Sequence, residues 1–324
     1  MMPTMPQPPL TSYAQNREDV VLWRALGTLK SGRYVEVGAN HPEQDSVSKS
    51  FYDHGWHGIT IDPVEDFVAM HRERRPHDVQ LAAAITARPV DSVTLHAVPG
   101  TGLSTLVDSV SEKASRDGYQ PVDVTVPARR LDSVLEEAGW AGTDIHFLLI
   151  DVEGAEADVL ASIDLSVWRP WVLVIEATDP RSTTPTHEAW EPALLAAGYE
   201  FCLFDGLSRF YVSTEHADLK PTLSYPACPL DSFEIAGAAE RRAAEIVEKE
   251  QEIESLTRQL VHWRSTALRG WADALAASAV GAANAANAAD AGAAAELAAI
   301  RQTVSWRVTA PLRGALRVAR RVRR

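Results

Sequence analysis

A glycine turn and a downstream carboxylate, both within residues 33–62, are the part of this sequence best suited to hold a nucleoside. An apolar, valine-containing run leads into Gly38, and Asp62 ends a second apolar run 24 positions later. A carboxylate about 20 residues beyond a glycine turn is where a βαβ unit holds the two hydroxyls of a ribose. The spacing therefore predicts strand, turn, helix and strand, with a nucleoside bound at the turn.

The residues around Gly38 indicate which nucleoside to expect. A dinucleotide turn needs several glycines, so that backbone amides can close on an anionic pyrophosphate. Here Gly38 stands alone, with Glu36 before it and Glu43 and Asp45 after it. These carboxylates would repel phosphates and would suit an ammonium and a sulfonium, the cationic groups of S-adenosylmethionine (SAM). The alternative is an ordinary strand end, at which Gly38 only permits a positive φ.

Later strands are predicted to deliver further acids to the same edge of the sheet. The continuous apolar run at 147–150 is typical of a strand covered on both faces, and Asp151 and Glu153 follow it. A second such run ends at Glu176. Ligands of open α/β sheets bind at the carboxyl ends of strands, so these acids and His41 are candidates for chemistry. The alternative for Asp151 is a cap on the helix that follows.

The helices and strands predicted around these residues form one α/β domain over residues 13–216. The predicted helices cover residues 12–29, 45–54, 64–74, 131–138 and 186–197. The predicted strands cover residues 33–37, 58–62, 79–85, 92–98, 122–127, 147–150, 171–175, 199–204 and 209–213. The last two strands form a hairpin at the Asp205-Gly206 turn, and a hairpin must add an antiparallel strand. Five parallel strands followed by a hairpin fit a methyltransferase sheet better than a reductase.

Composition excludes several classes of function. The chain has 324 residues, of which 46% are hydrophobic, and its net charge of −13 argues against a nucleic-acid-binding body. Cys202 and Cys228 are the only cysteines, so no disulfide framework is implied and a reducing cytoplasm is the expected compartment. The start lacks the features of a signal peptide, and no apolar run approaches the ~20 residues of a membrane span.

The chain resembles the FkbM family of SAM-dependent methyltransferases over about Tyr13 to Ser213. The matching segments, in order, are YAQNREDVVLWRAL, YVEVGANHPEQDSVSKSFYDHGWHGITIDP, GLSTL, VPARRLDSVL and LLIDVEGAEADVL. The family's first motif usually carries Asp where Glu36 stands here and often a glycine near Pro42. Its second motif often ends in Glu where this chain has Asp62. These departures keep the charge and change the reach of the side chains.

The resemblance implies a doubly wound, Rossmann-like class I methyltransferase sheet with an antiparallel closing strand. It also implies methyl transfer from SAM, commonly to a hydroxyl of a sugar or a natural product. The positions that would cradle the methionine part of SAM are Glu36, Gly38, Ala39 and Asn40. Asp62 would hold the ribose. Ser104, in the glycine-rich segment at 100–107, would lie near the adenine, although a flexible turn explains that segment equally well.

A sugar hydroxyl is a poor nucleophile until its proton is accepted, so a general base or a metal is expected. We favour Asp151 as base or substrate ligand and His41 second, with Glu176 as a further candidate and Glu153 as a substrate contact. A divalent ion between Asp151 and Glu176 is conceivable, because such carboxylates can share an oxygen-ligated metal, but the sequence does not indicate one. The competing class is a catalytically silent scaffold that recruits glycan-pathway enzymes.

The two ends of the chain differ in composition from the predicted domain. Residues 1–12 are proline-rich and predicted to be disordered, and residues 217–233 predict a proline-containing linker or a strap across the core. Residues 234–299 predict an extended helix. Its seam suggests a short coiled coil, favoured as self-association, or a helix docked on a partner; the alternative is an amphipathic helix packed on its own core. The seam is formed by Ala239, Ile246, Ile253, Leu260 and Ala267 at seven-residue intervals, joined by Leu256 and Trp263.

The last segment, residues 300–324, carries eight arginines and no acid. Two interpretations stay open. The tail lies on an anionic membrane surface, which would make the protein peripheral to the inner membrane, or it is solvated or docked on the acidic body of another subunit. Pro311 breaks the helix and weakens the membrane interpretation.

Overall fold

The computed structural model describes residues 9–98, 102–284, 296 and 299–309. The chain divides into two compact units, Met1–Ala239 and Glu240–Arg324. The strands are β1 (Leu10–Ser12), β2 (Arg33–Val37), β3 (His57–Asp62), β4 (Val79–Ala82), β5 (Ala84–Ile85), β6 (Ser92–Ala97), β7 (Val122–Arg129), β8 (Phe147–Ile150), β9 (Val172–Glu176), β10 (Tyr199–Phe204), β11 (Ser208–Ser213) and β12 (Phe233–Ile235). The helices are α1 (Glu18–Leu26), α2 (Lys49–Asp53), α3 (Glu65–Arg74), α4 (Asp108–Arg116), α5 (Leu131–Glu137), α6 (Glu156–Leu160), α7 (Glu191–Ala196), α8 (Lys220–Leu223), α9 (Ala238–Asn284) and α10 (Val304–Val308).

The central sheet of the first unit has seven strands in the order β10-β11-β9-β8-β2-β3-β4. The five strands from β9 to β4 are mutually parallel, whereas β11 runs antiparallel to both β9 and β10. The predicted five parallel strands and closing hairpin are therefore confirmed. Because parallel strands end at one edge, the segments that follow β2, β3 and β8 meet there.

Both faces of the sheet are covered by helices. On one face, Val35 and Val37 of β2 belong to an apolar cluster with residues of α5, α6 and α7. On the other face, Tyr34 of β2 packs with Phe51 of α2 and with residues of α1. The Tyr34 ring stacks on Phe147 with 5.4 Å between centroids. Successive side chains of β2 therefore point to opposite faces, and both faces are covered. A strand covered on both faces can be apolar without interruption, because neither face contacts solvent.

A smaller sheet stands beside the central one. Its strands lie in the order β5-β7-β6, with β6 antiparallel to β7, so the strand predicted at 92–98 is confirmed. The strand predicted at 79–85 is divided, because β4 pairs with β3 whereas β5 pairs with β7. Helix α4 was not predicted. Its sequence has only two apolar residues, Val110 and Ala114, and none of its residues is buried.

The first residues described are ordered, contrary to the prediction for 1–12. Strand β1 pairs in parallel with β12, while residues 1–8 lie outside the described residues. Asp19, the second residue of α1, fixes β1 because it accepts hydrogen bonds from Ser12 Oγ, Tyr13 N and Ser50 Oγ at 2.7–2.8 Å. The helix predicted over 12–29 is observed only over Glu18–Leu26, so the prediction was too long at both ends.

The segment at 217–233 is a strap across the core, as the second of the two interpretations proposed. Leu223 of α8 is fully buried. Arg24 of α1 holds the strap through two hydrogen bonds to Asp231, at 2.7 and 2.9 Å, and others to the carbonyls of Thr222 and Tyr225. Its guanidinium also lies 3.6 Å from the centre of the Tyr225 ring. These contacts make the strap part of the first unit.

The second unit contains α9 and α10. The predicted helix is confirmed over Ala238–Asn284, whereas the alanine-rich segment at 285–295 and the tail at 310–324 lie outside the described residues. Within the described ranges, no helix has both the length and the apolar character to cross a membrane.

Candidate active site

A cavity of about 280 Å³ lies at the carboxyl ends of β2, β3 and β8. Six carboxyl side chains line it: Glu18, Glu36, Asp45, Asp62, Asp151 and Glu153. Among the described residues, no lysine, arginine or histidine lines it. A lining whose charged residues are all acids favours a cationic ligand and disfavours phosphate. The predicted cofactor residues Gly38, Ala39, Asn40 and Ser104 also belong to the lining.

The turn after β2 is set by Gly38, whose φ is +85°. A Cβ atom at this position would lie 1.6 Å from the carbonyl oxygen of Asp151, so only glycine lets the ends of β2 and β8 approach this closely. The amides of Gly38 and Ala39 both donate to the carbonyl of Ile61, at 2.9 and 3.0 Å. The turn is thus fixed to both neighbouring strands.

Asp62 stands where the sequence placed it, at the end of β3 in the cavity wall. Its Oδ2 accepts from Asn40 N at 2.9 Å and its Oδ1 from Val64 N at 2.8 Å. Burial raises the pKa of Asp62 to about 6. Each carboxylate oxygen has a second lone pair, so the side chain retains acceptor capacity for the hydroxyls of a ribose.

Glu36 is held by a buried arginine that the sequence reasoning missed. Arg75 is fully buried, and its Nη1 lies 3.9 Å from Glu36 Oε2. The guanidinium donates to Ser48 Oγ and Ser46 Oγ, each at 2.6 Å, and to the carbonyl of Pro42. Burial raises the pKa of Glu36, and the charge of Arg75 opposes that rise. Arg75 therefore fixes the loop between β2 and α2 from beneath.

We expect Arg75→Met to destabilise the protein by about 3–5 kcal/mol, because it would leave the Glu36 charge buried without its cationic partner. Arg74→Met is the matched control, since Arg74 is exposed and pairs with Glu43 at the surface. That change is expected to cost below about 1 kcal/mol. Urea denaturation of both variants measures the difference. Equal costs for the two substitutions would contradict a structural role for Arg75.

A second acidic group closes the other side of the cavity. Glu153 has a φ of +53° in the turn after β8, and burial together with the charge of Asp151 raises its pKa to about 8. Glu176, at the end of β9, shares a side-chain hydrogen bond with Asp151. Burial and then the negative charge of Asp151 raise the pKa of Glu176 well above its usual range. Burial and the neighbouring carboxylate of Asp151 thus favour the protonated form of Glu176.

His41 and Glu176, the other candidates for the base, do not line the cavity. His41 lies outside the cavity lining, and its Nδ1 accepts from the amides of Glu43 and Gln44 at 3.1 and 3.0 Å. Burial and the charge of Arg74 lower the pKa of His41. Glu176 reaches the cavity only through Asp151. Within the part of the chain that the structure describes, no group of three or more His, Cys, Asp or Glu residues is arranged to hold a metal ion.

The loop at 102–107 joins the two walls. Ser104 lines the cavity, and its Oγ accepts from Val98 N at 3.2 Å. Thr105 donates from Oγ1 to the carbonyl of Glu153 at 2.8 Å. The loop predicted to reach the adenine is therefore tied to the acidic turn after β8. Residues 99–101 lie outside the described residues.

Glu18, the first residue of α1, is a further cavity residue. It is buried, and its Oε2 accepts from Asn16 N at 3.0 Å. Burial, followed by the charge of Asp205, raises the pKa of Glu18 to about 8. Ser208 of β11, another lining residue, had no sequence signal. The hairpin brings it to the cavity.

Comparison with known proteins identifies the class and then the family. The sequence profile of the methyltransferase FkbM domain matches residues 36–201, just over half of the chain, which therefore belongs to the FkbM family of methyltransferases. One similar solved structure is a CurJ carbon methyltransferase, with 11% identity and a TM-score of 0.31. The match covers 57% of this chain and 49% of that one, so this chain spans about half of its length. None of the curated proteins that were compared matches the chain.

Proposed function

We propose that the chain is a SAM-dependent O-methyltransferase, with a sheet of the doubly wound class I type, that methylates a sugar hydroxyl on a glycan or a glycosylated metabolite. The observation that carries the proposal is the cavity at the carboxyl edge of the sheet, whose charged lining residues are all acids. The chemistry of that lining fits SAM, which is cationic at two positions, better than it fits an anionic dinucleotide.

The residues that would hold the cofactor follow from their place in the wall. Gly38, Ala39 and Asn40 would form the floor for its methionine part, with Glu36 behind them, and Asp62 would hold the ribose. Ser104 would contact the adenine end. When bound, SAM supplies an electrophilic methyl group on a positively charged sulfur. The protein's own contribution is to position the acceptor and to accept its proton.

Asp151 is the proton acceptor in this proposal. It lines the cavity, whereas Glu176 lies behind it and shares its hydrogen bond. Because Glu176 holds its proton, it donates to Asp151 and keeps that carboxylate oriented. Burial raises the pKa of Asp151, which makes it a stronger base than an exposed aspartate. An uncharged hydroxyl acceptor fits these surroundings, because an anionic acceptor would meet the charge of Asp151 and, above a pKa of about 8, that of Glu153.

Calorimetry with SAM, followed by transfer of a labelled methyl group to a panel of sugars, tests the proposal. The enzyme requires SAM binding and label transfer to a hydroxyl. A catalytically silent scaffold requires neither, so lack of SAM binding by the folded protein would eliminate the enzyme. Loss of transfer in the presence of a chelator, with recovery on addition of a divalent cation, would show that a metal assists the base.

The pKa values of the cavity acids predict how cofactor affinity depends on pH. Glu18 and Glu153 have pKa values raised to about 8 and Asp62 to about 6, so the cavity gains negative charge between pH 6 and 8.5. Affinity for a sulfonium should rise over this range, and binding below pH 8 should release protons. We expect the Kd of S-adenosylhomocysteine divided by the Kd of SAM to increase about tenfold from pH 6 to 8.5.

The ratio isolates the sulfonium, because both ligands carry the same amino group and only SAM has the charged sulfur. Glu18→Gln is the internal check, since removal of one titrating acid should flatten the rise. A ratio that stays constant from pH 6 to 8.5 would show that these acids do not face the sulfur.

A further inference from the structure

Helix α9 carries an apolar seam that is exposed. Five large apolar residues of this seam have 53–69% of their surface exposed: Ile246, Ile253, Leu256, Leu260 and Trp263. With Lys249, Ala267 and Gly270 they occupy the a and d positions of successive heptads. Seams of this kind are buried against another helix, because a row of large exposed apolar side chains is costly in water.

The charges along α9 differ between its two halves. Residues 240–254 contain six acids and three bases, whereas residues 255–271 contain three arginines and no acid. The first half therefore carries a net charge of −3 and the second half +3. A parallel pairing of two such helices places like charges side by side, and an antiparallel pairing places opposite charges together.

We propose that α9 binds α9 of a second copy of this chain in an antiparallel coiled coil centred near residue 258. In this register Leu256 faces Leu260 of the second copy, and Ile253 faces its Trp263. Towards the ends of the seam, Ile246 faces Gly270, so a large side chain meets a small one. This inference is independent of the proposed catalytic function.

The residues that flank the seam select this register. Glu250 and Arg264 both lie at e positions, and in an antiparallel pair the e positions of the two helices face each other. With the centre near 258, Glu250 lies beside Arg264 of the second copy, and symmetry makes the contact twice. Moving the helices by one heptad in either direction separates these two charges. A parallel dimer would instead place Glu250 beside Glu245, a repulsive contact.

A charge-swap experiment on the full chain distinguishes the arrangements. Glu250→Arg alone and Arg264→Glu alone should each weaken the dimer about tenfold or more, because two attractive contacts become repulsive. The double variant, with both changes, should recover the original affinity. Glu248→Arg and Arg269→Glu are matched controls at c positions, away from the seam, and should leave the affinity nearly unchanged. Sedimentation equilibrium over a range of concentrations measures each dissociation constant.

Each other outcome overturns the proposal. Tighter association of Glu250→Arg would indicate a parallel dimer, since that change removes the contact with Glu245. Equal weakening by the seam and control variants would indicate nonspecific electrostatic association. A protein that stays monomeric at concentrations up to about 100 μM would show that α9 does not bind a second copy. Circular dichroism of every variant confirms that the helix is retained.

Discussion

Asp151→Asn is expected to lower the rate of methyl transfer by about 10²–10⁴-fold while SAM still binds with similar affinity. Asparagine has the same shape and can still accept the hydrogen bond from Glu176, so the cavity should keep its geometry. It cannot accept a proton from the acceptor hydroxyl. Single-turnover transfer of a labelled methyl group, together with calorimetric titration of SAM, measures the two properties separately.

Two further variants sharpen that result. Asp66→Asn makes the same chemical change at an exposed position in the first turn of α3 and should not alter turnover. Glu176→Gln preserves a hydrogen-bond donor to Asp151 and should reduce the rate less than Asp151→Asn. Turnover within twofold of the original protein in Asp151→Asn would remove Asp151 as the base. Weakened SAM binding in that variant would move Asp151 to the cofactor half of the site.

Gly38→Ala is expected to destabilise the protein by about 4 kcal/mol or more and to abolish SAM binding. The added methyl carbon would lie 1.6 Å from the carbonyl oxygen of Asp151, which is backbone and cannot rotate away. The ends of β2 and β8 would have to separate, and the floor of the cavity lies between them. Thermal denaturation and SAM titration measure both effects.

Gly55→Ala is the matched control for that substitution. Gly55 has nearly the same φ, +82°, but nothing lies within 4 Å of the Cβ that the substitution would add. Its cost should be that of the left-handed conformation alone, about 1–2 kcal/mol, with SAM binding retained. If the two alanine variants lose the same stability, contact with β8 does not explain the glycine at position 38.

The central sheet could be predicted because its signal is local. The run at 147–150 is apolar without interruption since both faces of β8 are covered, and Gly38 and Asp62 stand at the ends of strands that the same pattern identifies. Parallel strands then bring those ends together. The cavity wall and the proximity of Glu176 to Asp151 were predictable to this extent. That Glu176 lies outside the cavity lining, behind Asp151, was not.

The remaining parts depend on contacts between distant residues. Arg75 neutralises Glu36 from 39 positions away. Arg74, the exposed residue beside it, is also an arginine, so the sequence does not show which of the two is buried. Strand β1 exists because it pairs with β12, more than 200 positions later. Helix α4 has only two apolar residues, Val110 and Ala114, so no apolar run marks it. The ion pair and the strand pairing both join residues that are far apart in the chain, so the sequence around each residue does not reveal them.

The pairing of β1 with β12 brings the first and last strands of the first unit together. Leu10 lies opposite Phe233, and Ser12 opposite Ile235. Because the two strands are parallel, a linker from the end of β12 must run back along three residues to reach the start of β1. The fold is thus nearly circular in its connectivity. Closing that ring and opening the chain in an exposed loop away from the cavity should preserve the core, as in circular permutation of other compact domains. Closure without a new opening should confine the unfolded chain and stabilise the fold, by roughly 5 kcal/mol in the loop-entropy description.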